Sequence, residues 1–220
     1  MMHGKVILNH PEHKMIIKGA LSHLNPDLKH WDKPKIRKDE MGRKITGRPS
    51  RGFGDRNFSY AGKSMNPEPW DTEEVMPYMK SIAEYLCNHY WNTGGYDFTF
   101  CLVGEYPDGT TEVVHHSDTV PSSYDIVCSM SFGSPRLFEW ISYKDQIKDM
   151  FETSKLRYTI PQLKKMIVNR DNYLLEHGDV MIFTGESQMN STHAVPRISG
   201  VDRRLNFTFR SNMHYTGERM

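Results

Sequence analysis

Cysteine is scarce in this chain. Its 220 residues hold three, Cys87, Cys101 and Cys128, with no C-x-x-C spacing. Three thiols leave one unpaired in any scheme, so a disulfide framework is excluded and the cysteines read as buried thiols in a reducing compartment. Long hydrophobic runs are missing as well: nothing approaches the ~20 residues of a membrane-spanning helix. Residues 1–14 contain a short apolar patch but no signal-peptide core and no small-residue cleavage site, so an intracellular location is expected. Net charge is only +1, which excludes a uniformly basic or acidic chain. The length suits one well-filled domain with an appended arm.

The near-neutral total hides an asymmetry. Residues 1–63 carry 14 Lys/Arg against 6 Asp/Glu, and the remainder carries 14 against 21. A basic N-terminal third can meet phosphates, or it can be a soluble flexible arm. From Arg48 to Tyr60 arginines interleave with aromatics: Arg48, Arg51, Phe53, Arg56, Phe58 and Tyr60. That pattern can hold a nucleic-acid backbone and stack a base, or pack a hairpin on the core.

Periodicity organises the rest. Residues 12–24 fit a short helix, and Val75, Met79, Ile82, Leu86 and Tyr90 recur at helical spacing, predicting an amphipathic helix over 73–90. Strands are expected over 98–106, 111–115, 124–132, 136–143, 193–195 and 205–210. Residues 174–175 and 180–183 read as a hairpin around the Gly178-Asp179 turn. Residues 151–170 look partly helical, with Ile160, Leu163, Met166 and Ile167 on one face. Many short strands with turn signals point to a barrel or jelly roll.

Two stretches carry chemistry. In an extended strand, side chains at i and i+2 share a face, so His116 and Asp118 project together. With a second imidazole from His193, far along the chain, they form a two-histidine, one-carboxylate set that suits non-haem Fe(II) and leaves positions open for oxygen chemistry. His116 and Asp118 alone could equally be an exposed strand end. His115 points the opposite way by strand alternation and is left out; His177 falls in a turn and reads as structural. The second stretch runs from Arg204 to Arg210 and alternates polar with apolar residues. Arg204, Asn206, Thr208 and Arg210 share one face, either a solvated edge or a pocket wall whose guanidiniums grip carboxylates.

These segments, in order, resemble the AlkB family of Fe(II)- and 2-oxoglutarate-dependent dioxygenases. The matching residues are Tyr106 with Pro107-Asp108-Gly109, His116 and Asp118, Ser129 to Gly133 with Arg136 and Phe138, Leu175 to Val180, Gly185 to Gln188, His193 to Pro196, and Arg204 to Arg210. The resemblance covers roughly residues 48 to 210. It implies an α+β fold with a mainly β core, a double-stranded β-helix flanked by helices. It implies Fe(2+) on His116, Asp118 and His193, with 2-oxoglutarate as co-substrate and O2 as oxidant. Arg204 matches the residue that holds the far carboxylate. Asn206 and Arg210 match residues near the metal-side carboxylate, and Tyr106 matches a co-substrate tyrosine. The implied reaction oxidises a C–H bond; from an N-methyl carbon the product collapses to formaldehyde and the bare amine. The implied partner is nucleic acid, DNA or RNA, with the target base flipped or unpaired.

The resemblance also divides the chain. Residues 1–65 form a basic extension with a nucleotide-recognition lid, and 66–212 form the oxygenase core with an insertion at 144–171, all within one structural domain. Arg48, Arg51, Phe53, Tyr60, Val120 and Arg136 are the expected substrate contacts, and a monomer is expected. Three positions depart from the family pattern. Gly104 stands where an Asn is usual, so one co-substrate hydrogen bond is lost or moved. Val120 stands where repair members carry an acid that reads the base. Ser191 replaces a frequent Trp. The alternatives are the same chemistry on a protein or small molecule, or a non-catalytic nucleic-acid-binding barrel.

Overall fold

A computed structural model describes residues 5–7, 27–31, 36–38, 44–60, 63–91, 97–118, 126–147 and 157–211. The helix expected over 12–24 and the substrate contact expected at Val120 lie outside the described residues. The strands are β1 (Lys5–Ile7), β2 (Ile36–Lys38), β3 (Lys44–Thr46), β4 (Ser50–Gly54), β5 (Phe58–Tyr60), β6 (Lys63–Met65) and β7 (Phe100–Tyr106). They continue as β8 (Val113–His116), β9 (Ile126–Gly133), β10 (Arg136–Tyr143), β11 (Ile167–Leu175), β12 (Val180–Thr184), β13 (Ser191–Val195) and β14 (Arg204–Arg210).

Two antiparallel sheets build the core. One has the order β1-β12-β9-β14-β7-β4 and the other β11-β10-β13-β8. From β7 onward the chain alternates between them, except that β10 and β11 are neighbours in the smaller sheet. This is the expected double-stranded β-helix. Separate two-stranded ribbons pair β2 with β3 and β5 with β6. From the basic N-terminal third, β1 and β4 hydrogen-bond into the edges of the larger sheet.

β14 shows why the sequence folds this way. It pairs with β7 on one side and β9 on the other, so neither of its edges is free, and all seven of its residues are buried. Leu205, Phe207 and Phe209 point outward into an apolar layer with Met76, Met79, Ala83 and Leu86. Those four lie on the helix Val75–Trp91, whose i, i+3, i+4 spacing was legible in the sequence. The opposite face, Arg204, Asn206, Thr208 and Arg210, is equally buried but points between the sheets.

One expectation fails and another holds only in part. β11 and β12 are not a hairpin: β11 pairs with β10, whereas β12 lies between β1 and β9. The Gly178 turn, at φ 84°, carries the chain from one sheet to the other. Turn residues mark a reversal but do not choose the partner strand; β12 is buried on both faces, β11 is an exposed edge. Residues 167–170 are strand, not helix. The helix Ile160–Met166 stops where β-branched Ile167 begins the pairing with β10, and β-branched Val168 sits at the register shift that follows. Leu163 and Met166 are buried against Ile141, Tyr143 and Ile147, while Ile160 is exposed. The last residues of the segment read as an insertion, 167–171, therefore belong to β11.

Candidate metal and co-substrate site

Register brings the two histidines together. His193 on β13 is the direct cross-strand partner of His116 on β8, and their rings lie 4.3 Å apart. Asp118 follows two residues after His116, at the end of its strand. Its carboxylate oxygens are 3.6 Å from Nε2 of His116 and 3.9 Å from Nε2 of His193. These separations are too long for good hydrogen bonds and suit an ion seated between the three groups. Among the described residues they are the one such cluster, with all ligand atoms within 4.8 Å of one another.

The ligands are held from behind. His116 Nδ1 lies 2.9 Å from the Val114 carbonyl, so Nδ1–H donates there and Nε2 keeps its lone pair for a metal. Phe138 and Trp140, alternate residues of β10, stack on His193 at 5.2 and 5.8 Å. Burial, reinforced by neighbouring His116, pushes the His193 imidazole down to about 3, so it is neutral and able to ligate. Burial would raise the Asp118 carboxyl. Arg210, donating at 2.6 Å, together with both histidines outweighs that and holds it well below the usual carboxylate range.

Three residues the sequence reading gave no role complete the frame. The Gln188 side-chain carbonyl accepts from the Asp118 backbone N–H at 2.9 Å. Ser117 Oγ donates to the Ser191 carbonyl at 2.5 Å, and Ser191 Oγ donates to the Ser187 carbonyl. The loop carrying Asp118 is thus tied to the segment that leads into His193. Gln188 ends the Gly185 to Gln188 motif, and its bond to Asp118 is visible only in the fold. His115, as strand alternation required, turns away to Glu139 at 3.1 Å. His177 accepts from the Gly133 backbone N–H beside Phe132, a structural place.

Beside the triad, the polar face of β14 lines the cavity. Arg204 Nη2 donates to Ser131 Oγ at 2.8 Å, and Asn206 Nδ2 donates to Ser129 Oγ at 2.9 Å. Arg204 is fully buried, and its Nε and Nη1 find no hydrogen-bond partner among the described residues. Burial lowers its guanidinium to about 10, which leaves it cationic at neutral pH. Tyr106 pairs with Arg204 across the sheet, and its ring lies 4.8 Å from the Arg204 guanidinium. A buried cation with unused donors, next to a tyrosine hydroxyl and a two-histidine, one-carboxylate cluster, fits a carboxylate that also reaches a metal held there.

Most expected substrate contacts face elsewhere. Arg51 is buried and held by Glu68, at 2.8 and 2.5 Å, and by Glu73. Phe53 is fully buried in the core beneath it. Both are buried, and Phe53 packs on the core as the alternative had it, from an edge strand paired with β7 and not from a hairpin. The competing signals were acids 17 and 22 residues further on, Glu68 and Glu73, and an aromatic inside a strand. Arg136 is likewise buried and donates to the carbonyls of Asp108, Thr111 and Pro196, so it clamps loops rather than greeting substrate. Arg48 turns inward to Tyr106. Tyr60 lies on β5.

A family model, "2OG-Fe(II) oxygenase superfamily", matches residues 3–210. The chain belongs to this superfamily. Iron and 2-oxoglutarate are its cofactor and co-substrate, and the His116, Asp118 and His193 cluster fits that set. Its sequence relatives are AlkB homologues. It is 29% identical over 162 residues to "Alpha-ketoglutarate-dependent dioxygenase alkB homolog 3" of Rattus norvegicus, covering 72% of this chain and 48% of the relative. It is 27% identical over 167 residues to "Alpha-ketoglutarate-dependent dioxygenase AlkB" of Escherichia coli (strain K12), covering 72% and 66%. The chain spans about half the length of the mammalian relatives it matches. Among solved structures, OsALKBH1 aligns at TM-score 0.53 with 19% identity, covering 93% of each chain. An oxidoreductase of the 2OG-Fe(II) oxygenase family from Burkholderia pseudomallei aligns at 0.50 with 13% identity, covering 91% and 79%. At those identities the likeness establishes the fold. Among the described residues no helix is long and apolar enough to cross a membrane.

Proposed function

We propose that this chain is an Fe(II)- and 2-oxoglutarate-dependent dioxygenase that oxidatively demethylates, or hydroxylates, alkylated bases in DNA or RNA, releasing succinate, CO2 and formaldehyde. The carrying observation is the open two-histidine, one-carboxylate cluster with the buried, donor-rich Arg204 in the same cavity. Bound iron would supply oxidation of an unactivated C–H bond. The residues of the chain do the rest. His116, Asp118 and His193 would hold the metal, a ligand set that suits non-haem iron and oxygen chemistry. Arg204 and Tyr106 bind the far carboxylate, while Asn206 and Arg210 support the metal-side end. Arg210 also fixes the Asp118 carboxylate, so one strand orients both metal and co-substrate.

Nucleic acid as substrate is supported by the AlkB-like motif order and by the basic N-terminal third, which carries the lid in this reading. The enzyme would act as a monomer in a reducing intracellular compartment, in keeping with three buried free cysteines. The test is a turnover screen with methylated DNA and RNA oligonucleotides, read by formaldehyde release and base mass. Turnover unaffected by every oligonucleotide would reject the substrate class.

One observation favours a second reading, the same chemistry on a protein or small molecule. Arg51 and Phe53, two of the six residues in the arginine–aromatic pattern that suggested base stacking, are consumed inside the fold. Succinate release stimulated by a peptide, and by no nucleic acid, would select it.

A further inference from the structure

Residue 104 stands on the cavity wall. Gly104 pairs with Asn206 across the sheet, and cross-strand partners share a face, so a side chain at 104 would project beside Asn206 and two residues from Tyr106. Gly104 has none, and Arg48 fills the space. A Cβ on Gly104 would lie 2.6 Å from Arg48 Nε, 2.7 Å from Cζ and 2.8 Å from Cδ. The backbone sets this up: the Glu105 N–H donates to the Pro49 carbonyl at 2.9 Å, and Ser50 pairs with Gly104. Arg48 therefore lies beside Tyr106, and its Nη1 donates to the tyrosine hydroxyl at 2.6 Å.

Two guanidiniums with donors to spare then flank one ring. Arg48 lies 5.3 Å and Arg204 4.8 Å from the Tyr106 centroid. Arg136, at 5.1 Å, adds a third positive charge, but its bonds go to backbone carbonyls. Among the described residues no carboxylate forms an ion pair with any of the three. Like charges gathered in a low-dielectric cavity call for an anion, and paired planar forks suit a carboxylate.

We propose that Arg48 is a co-substrate-binding residue: its guanidinium, seated in the gap left by Gly104, grips the distal carboxylate of 2-oxoglutarate together with Arg204. This rests on the reading above that 2-oxoglutarate occupies this cavity. Gly104 is then a specificity-determining position because it is empty. Arg48 enters from the segment just before β4, so the N-terminal third supplies part of the co-substrate pocket.

The test is calorimetric titration of Mn(II)-loaded full-length protein, without turnover. The probes are 2-oxoglutarate and 2-oxopentanoate, which has the same keto-acid end but no distal carboxylate. Arg48→Ala is expected to lose about 10- to 100-fold in affinity for 2-oxoglutarate and little for 2-oxopentanoate, the range for a hydrogen bond to a charged group. Gly104→Ala, which expels the guanidinium and adds no polar group, should give a similar loss, and the double variant should lose no more than either single one. Arg48→Gln replaces the alanine variant if that melts early. Wild-type affinity in Arg48→Ala alongside a loss in Arg204→Ala would overturn the proposal and leave the cavity reading standing. Wild-type affinity in both would remove the cavity reading itself. Equal losses for both keto acids would make Arg48 a structural residue and end the proposal.

Discussion

His116 and His193 face one another across a single rung of the β8–β13 ladder, rings 4.3 Å apart, although 76 residues separate them in the chain. Replacing either by Ala removes a ligand from an otherwise complete cluster. Metal affinity is expected to fall by more than the roughly 10- to 100-fold typical of losing a residue that only orients a ligand. Turnover should be abolished and the melting temperature of the metal-free protein kept within a few degrees. Isothermal titration with Fe(II) or Mn(II), beside a thermal melt, checks both halves. Unchanged metal binding would take that residue out of the site.

Gln188 offers a subtler test. Its carbonyl oxygen holds the backbone N–H of Asp118, and the side chain is fully buried. Gln188→Leu preserves volume but removes the acceptor. Metal affinity should fall about 10- to 100-fold while all three ligands remain, and the variant should also be less stable because the Asp118 N–H is left without a partner. A variant that binds metal normally would reduce Gln188 to packing.

Arg51 and Phe53 should behave as structural residues. Breaking a buried ion pair from one side costs roughly 3–5 kcal/mol, so Arg51→Ala should destabilise on that scale. Phe53→Ala should cost a similar ~3–5 kcal/mol. Urea denaturation of the metal-free protein measures both. If either variant keeps wild-type stability yet loses oligonucleotide affinity, the residue faces substrate after all.

Acid should loosen one contact of the N-terminal region selectively. Arg203 binds Asp27 at 2.6 and 2.7 Å and Glu105 at 2.5 Å, and stacks on Trp31, tying residues 27–31 to the rim of the barrel. The hydrogen bonds from Arg203 hold the Asp27 carboxyl below its ordinary value, against burial. A depressed carboxylate contributes stability that is fully present above its unfolded value, ~3.9, and is lost as pH falls through the folded value. The protection of the amides at 28–31, relative to an unstructured chain at the same pH, should therefore fall below about pH 4, and Asp27→Asn should produce the same fall at pH 7. Hydrogen exchange read by mass spectrometry would show it; protection independent of both changes would refute the tie.

The sequence carried the site further than it carried the topology. Alternation alone placed His116 with Asp118, turned His115 away, and put Arg204, Asn206, Thr208 and Arg210 on one face, because side-chain period in a strand is a local property. It could not say which strands pair. β11 and β12 were therefore joined across the Gly178 turn, although each belongs to a different sheet. The helical spacing through Ile160, Leu163 and Met166 was real, but the ladder with β10 took over at Ile167. A basic aromatic pattern looks alike whether it meets phosphate or, as Arg51 does, Glu68 and Glu73. Gln188 and Ser117 were missed since their partners lie 70 and 74 residues away.

β14 leaves evolution little slack. Each odd position from Leu205 to Phe209 anchors the helix layer, and each even one from Arg204 to Arg210 serves the cavity. Inserting or deleting a single residue there would turn guanidiniums into the oily layer and phenyl rings toward the two histidines and the aspartate at once. Folding and chemistry are thus written on opposite sides of the same seven residues, and neither can drift in length without losing the other.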